Sequence, residues 1–324
     1  MRQFRLDNAK FALITLVVIG HLLEQVKGGS PVMETMYRFI YLFHMPAFAY
    51  LSGALSPATF DAQAGKRWLA TLLLPYLIFQ ALYLLVDATV TSGAFVYRVV
   101  QPYWVMWYLL SLATWRLMLP AITATRWPIA ITCTIALFVG LLPDIGYGAS
   151  LSRTFVFLPF FVAGHMLGTR VAGPRWIALG ALLVLLLVAY RFRSVPALWF
   201  YGSVGYKDLA VSGWLGIAAR FGLLLCGGLG CWAIVRLMPE RGGWMASEGR
   251  NSLAVYLLHG IAIKFLLAAG AFAWLARWPW MIVFLASILV LVLGRMGRSL
   301  RFMMDYRWLW RSTDSPAKPD GSPA

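Results

Sequence analysis

The chain has 324 residues, of which 61% are hydrophobic and only 12% charged, with a mean hydropathy of +0.74. Water-soluble domains carry about 45–50% apolar and about 25% charged residues, so the composition excludes a soluble fold and defines an all-α integral membrane protein. The net charge of +16 is dispersed through short loops between apolar stretches. That pattern fixes topology in a bilayer and builds no phosphate-binding face, which excludes nucleic acid as a partner.

At about 20 residues per span, the length suits about ten transmembrane helices in one unit. In chain order the apolar stretches fall at about 9–24, 37–56, 68–87, 103–120, 127–142, 154–170, 175–190, 209–236, 250–270 and 278–297. The first follows Arg2 and Arg5 as a signal peptide would. It lacks a small-residue cleavage site and carries Asp7 and Lys10 at its start, so it reads as a retained helix. The distribution of Lys and Arg places both termini in the cytoplasm, in a multi-pass protein of the cytoplasmic (inner) membrane. Residues 1–311 form one membrane domain, and the Pro/Ser/Asp-rich residues 312–324 read as a disordered cytoplasmic tail. The outer segment Arg191–Asp208 is the longest loop, with Trp199, Phe200 and Tyr201 expected at the membrane interface. Cys133, Cys226 and Cys231 sit inside apolar stretches without disulfide or zinc spacing, and no metal is expected.

The first helix carries four ionisable groups, Asp7, Lys10, His21 and Glu24. Each costs about 2.5–3.5 kcal/mol on insertion scales, so each marks function by default. The step from Lys10 to His21 is close to three full helical turns, so the two share a face, roughly 16 Å apart at 1.5 Å per residue. Asp7 and Glu24 flank the same stripe, which therefore faces a polar cavity. A cation at the cytoplasmic mouth can hold a phosphate while the imidazole works as a base deeper in the membrane, oriented by Glu24. His44, in the second helix beside Pro46, lies at a similar depth. Later, His165 reads as packing, His259 falls near mid-membrane, and Lys264 snorkels outward. Gly227, Gly228 and Gly230 read as close helix packing, since no strand precedes them to make a nucleotide loop.

Asp7-Asn8-Ala9-Lys10 with Gly20-His21, then Phe43-His44-Met45-Pro46 and Leu51-Ser52-Gly53, resemble the membrane acyltransferase-3 family, in its fucose 4-O-acetylase-like branch. Further matches are Lys66-Arg67 with Pro75-Tyr76, Trp107-Tyr108-Leu109, and Arg153-Thr154-Phe155 leading to Leu158-Pro159-Phe160-Phe161. Asn251-Ser252-Leu253 with Tyr256-Leu257-Leu258-His259 completes the set. The resemblance implies a ten-helix O-acetyltransferase that moves an acetyl group from cytoplasmic acetyl-CoA to a hydroxyl of a glycan or lipid-linked sugar. It implies His21 as general base or acyl relay, with Glu24 or Glu34 as its acidic partner and His44 nearby. Lys10, Lys66, Arg67 and Arg116 are the candidates for CoA phosphates; Arg153, Tyr108 and His259 are those for substrate. The same buried His, Glu and Lys also suit a transporter or flippase of a lipid-linked sugar, although the chain shows neither duplicated halves nor paired broken helices.

Overall fold

A computed structural model describes residues 4–91, 93, 95–169 and 171–310; the tail at 312–324 lies outside them. Among the described residues all regular structure is helical. Ten long helices run as α1 (Phe4–Glu24), α2 (Pro31–Ala54), α3 (Ala62–Val90), α4 (Trp104–Thr123), α5 (Pro128–Leu141), α6 (Gly148–Leu167), α7 (Arg175–Arg191), α8 (Gly213–Leu237), α9 (Ser252–Ala268) and α10 (Met281–Ser299). Each apolar stretch in the sequence falls on one of them.

By length and composition α1, α3, α4, α6, α8 and α10 are able to cross a membrane, and α5 and α9 are shorter apolar helices. The remaining two, α2 and α7, stand outside both groups. Helix α2 carries Glu34, Arg38 and His44, and hides Arg38 and His44 in the interior. It can do so because α1, α6, α7 and α8 all pack on it. Helix α7 begins and ends on an arginine.

The most extensive helix pair is α2 with α6, and glycines make it possible. A Cβ on Gly53 would lie 1.8 Å from the Phe161 carbonyl oxygen, and one on Gly164 1.9 Å from that of Tyr50. Small residues let two backbones approach where lipid supplies no hydrophobic drive. Gly227 and Gly230 of α8 likewise lie against Phe160 and Phe43, as their clustering suggested.

Helix α1 is enclosed by α2, α9 and α10. Its N-terminal end is fixed by Asn8, whose amide donates to the carbonyls of Pro239 (2.9 Å) and Arg241 (3.1 Å), and by the short helix Trp244–Gly249. Helix α3 contains a π-helical turn at Leu69–Leu73, just before Pro75; such turns recur at functional sites. The ammonium of Lys264 of α9 pairs with Asp87 of α3 at 2.5 Å, tying the two helices together. His165 Nδ1 donates to the Ser56 carbonyl oxygen at 3.0 Å, in keeping with a packing role.

Candidate active site

His21 stands in the last turn of α1, three residues before Glu24. Its Nδ1 is 3.1 Å from Glu24 Oε2. An ionised carboxylate only accepts, so this nitrogen carries the proton, and in the neutral ring the lone pair is on Nε2. The Tyr201 hydroxyl donates to Glu24 Oε1 at 3.4 Å and lies 2.5 Å from the Tyr37 hydroxyl. The carboxylate is therefore held from both ends. Around the imidazole stand Trp104 edge-on at 5.0 Å, His259 at 5.3 Å between ring centroids, and the Tyr41 hydroxyl 3.5 Å from Nδ1.

The two candidate acids separate cleanly. Glu34 pairs with Arg38 at 3.1 Å, and Arg38 also donates to the Val195 carbonyl oxygen at 2.9 Å. That network joins α2 to the 191–208 loop and leaves Glu24 as the carboxylate on His21. His44 is buried, with Nδ1 donating to the Ile40 carbonyl oxygen (2.8 Å) and its ring 4.7 Å from Tyr41.

Two cavities approach His21. One, of about 270 Å³, is lined by Lys10, Ser52, Thr71, Tyr108, Ser252, Tyr256 and His259 with a mostly apolar remainder. The other, of about 210 Å³, is lined by Glu24, Tyr41, His44, Trp104, Tyr147, Arg153, Phe200 and Tyr201. Among the described residues, only His21, Met45, Val105 and Trp107 belong to both walls. The Lys10 cavity thus follows the stripe read from the first helix, with Lys10 held by Asp7 at 3.1 Å near one end and His21 at the other.

The residues grouped by sequence are distributed between these spaces. Tyr108, its hydroxyl 2.7 Å from Ser52 Oγ, and His259 line the Lys10 cavity, whereas Arg153 lines the second one. The Arg153 guanidinium lies over the rings of Trp107 (5.0 Å) and Tyr147 (5.1 Å). Lys66, Arg67 and Arg116 line neither cavity; Thr71 and Leu72, in the π-turn that follows Lys66 and Arg67, do. Phe200 and Tyr201 are not spread at a membrane interface. Their short helix, Leu198–Tyr201, folds inward, burying Phe200 and placing Tyr201 on Glu24.

Sequence reasoning missed Trp104, Tyr41 and Tyr147. Trp104 has φ +36°, a costly conformation for a bulky residue that persists where surroundings impose it. Its indole packs on His21 and under the Lys264 ammonium. The only advance signal was the density of aromatics in the outer loops. Among the described residues no group of three His, Cys, Asp or Glu side chains is arranged for a metal.

Apolar helices thus surround a carboxylate-oriented imidazole that lines two cavities. The acyltransferase domain of the acyltransferase-3 family matches residues 4–296, and the chain belongs to that family as a multi-pass membrane acyltransferase. It is similar to nodulation protein NolL of Sinorhizobium fredii, with 30% identity over 189 residues that cover 52% of this chain and 50% of that protein. It is also similar to nodulation protein NolL of Mesorhizobium japonicum, at 25% identity over 295 residues, covering 81% of this chain and 77% of that one. The chain spans about half the length of the first of these relatives. No solved structure matches it.

Proposed function

We propose that the protein is an O-acetyltransferase that takes acetyl from cytoplasmic acetyl-CoA and delivers it to a hydroxyl of a carbohydrate, a cell-surface glycan or lipid-linked sugar. The observation that carries this reading is that one histidine belongs to the walls of two otherwise separate cavities. On this reading all ten long helices cross the inner membrane with both termini in the cytoplasm, and the Lys10 cavity opens inward. Lys10 meets a CoA phosphate, the uncharged pantetheine arm lies along the apolar wall, and the thioester reaches His21. The stripe length, roughly 16 Å, matches an extended arm.

The acceptor enters the Arg153 cavity, where Tyr147, Trp107 and Phe200 offer ring faces and Arg153 offers donors. His21 Nε2 removes the proton from the acceptor hydroxyl as its oxygen bonds to the acetyl carbon. The carbon–sulfur bond breaks, and the departing sulfur takes the proton from the His21 imidazolium. The products are an acetyl ester and free CoA thiol. Glu24 holds the tautomer and stabilises the imidazolium while it exists.

The test is thiol release by the purified protein in nanodiscs with acetyl-CoA and a panel of glycans, comparing wild type with His21→Ala. Release coupled to an acetylated glycan, lost in the variant at unchanged thermal stability, is the expected result. Undiminished transfer by His21→Ala defeats the mechanism; an acetylated lipid in place of any glycan replaces the acceptor class.

A further inference from the structure

His259 stands directly across from His21, and its hydrogen bonding is half complete. Nδ1 is 2.7 Å from the Tyr256 carbonyl oxygen and 3.0 Å from that of Val255. Both are acceptors, so Nδ1 bears the proton and Nε2 is left as a lone-pair acceptor. That Nε2 is buried and has no partner among the described residues. Buried acceptors are nearly always satisfied, and one left alone costs stability. The ring sits on the wall of the Lys10 cavity and not of the Arg153 cavity, so the group that completes it comes with the ligand of the Lys10 side.

We infer that His259 Nε2 accepts a hydrogen bond from the amide N–H of the pantetheine arm nearest the sulfur, and so sets the thioester against His21. The inference rests on acyl-CoA being the donor. Pantetheine is uncharged and brings N–H donors, which is the chemistry an acceptor-only nitrogen in an apolar wall recognises. The register fits as well. Four bonds separate the acyl carbon from that amide nitrogen, a reach comparable to the 5.3 Å between the His21 and His259 ring centroids. His259 is then a donor-positioning residue, and it selects thioesters of pantetheine over simple thiol esters that lack the amide.

The experiment compares acetyl-CoA with an analogue in which that one N–H is replaced by oxygen, in wild type, His259→Phe and His259→Gln. In wild type the analogue's KM is expected to rise about tenfold with kcat little changed, the effect of one buried hydrogen bond. His259→Phe shows a raised KM for acetyl-CoA and no discrimination between the two donors. His259→Gln, whose carbonyl oxygen accepts and whose amide can still donate to Tyr256, recovers the discrimination. Because each comparison is made within one protein, a general loss of folding in a variant does not imitate the pattern. Equal use of both donors by wild type overturns the inference while leaving the proposed function standing. So does a fall in kcat with a displaced pH profile in both variants, which assigns His259 to proton transfer. Failure of wild type to use acetyl-CoA at all overturns the proposed function and the inference with it.

Discussion

Replacing Glu24 with Gln isolates the charge on His21 from the geometry around it. The Gln carbonyl can still accept from Nδ1, so the tautomer survives, while the negative charge that faces the imidazolium is removed. The side chains of His21 and Glu24 are 16% and 24% exposed, so the pair is shielded but not dry. For charge centres about 4 Å apart at an effective dielectric near 20, the attraction is about 4 kcal/mol. Water at the cavity wall screens part of it, leaving a loss of about 2–4 kcal/mol in the step that forms the imidazolium. At about 1.4 kcal/mol per tenfold, kcat falls about 30- to 1,000-fold. Acetyl-CoA KM stays within a few-fold, because Glu24 is on the wall of the Arg153 cavity and not of the Lys10 cavity. The assay is thiol release in nanodiscs, with Glu34→Gln beside it. Glu34 serves Arg38 and the 191–208 loop, so its variant loses thermal stability but keeps kcat within a few-fold. Near-normal kcat in Glu24→Gln together with collapse in Glu34→Gln refutes the assignment of the acid.

Arg153→Gln is expected to raise the acceptor KM about tenfold or more while leaving acetyl-CoA KM unchanged. Arg153→Lys rescues little, because a point-charge ammonium cannot reproduce a planar fork of donors seated over Trp107 and Tyr147; a change confined to the donor KM reverses the placement of the two substrates. Gly164→Val forces α2 and α6 apart, since the new Cβ meets backbone, and lowers the melting temperature in detergent with a cost of about 3 kcal/mol or more. Gly180→Ala, on α7 with nothing within 4 Å of its new Cβ, leaves the melting temperature equal or slightly higher; equal damage from both substitutions contradicts the packing argument.

The Lys10–His21–Glu24 stripe was legible because helical periodicity is a property of one segment, and α1 is a regular helix over that length. For the same reason Lys10 and His21 share a cavity, as their spacing required. The choice between Glu24 and Glu34 turns on two pairings within single helices, His21 with Glu24 at i,i+3 and Arg38 with Glu34 at i,i+4; what the sequence does not show is the tertiary part, the 191–208 loop that fixes Arg38 and brings a hydroxyl to Glu24. Tyr201 illustrates this best. In sequence it is one of three consecutive aromatics in a loop, which interfacial chemistry explains adequately; in space its hydroxyl fixes the second oxygen of Glu24. The partner of Lys264 was missed through the same gap, because Asp87 lies far away in the chain and is brought near only by the packing of α3 against α9. Lys66, Arg67 and Arg116 were grouped by the rule that gathers cations on the cytoplasmic side, and that rule does not say which of them face a cavity.

The narrow junction between the two cavities bears on a task separate from chemistry. A membrane that stores a voltage must not conduct through its enzymes, yet on the proposed orientation water can approach His21 from either side. The insulation at that point is the thickness of a few side chains, those of Met45, Val105 and Trp107 beside the imidazole itself. Trimming Met45 or Trp107 to Ala is expected to let protons or small ions pass, measurable as faster decay of a potential across proteoliposomes; an unchanged decay would show that the seal lies elsewhere. On the proposed orientation, the residues that bring two substrates within reach of each other would then also keep the cell's battery from discharging.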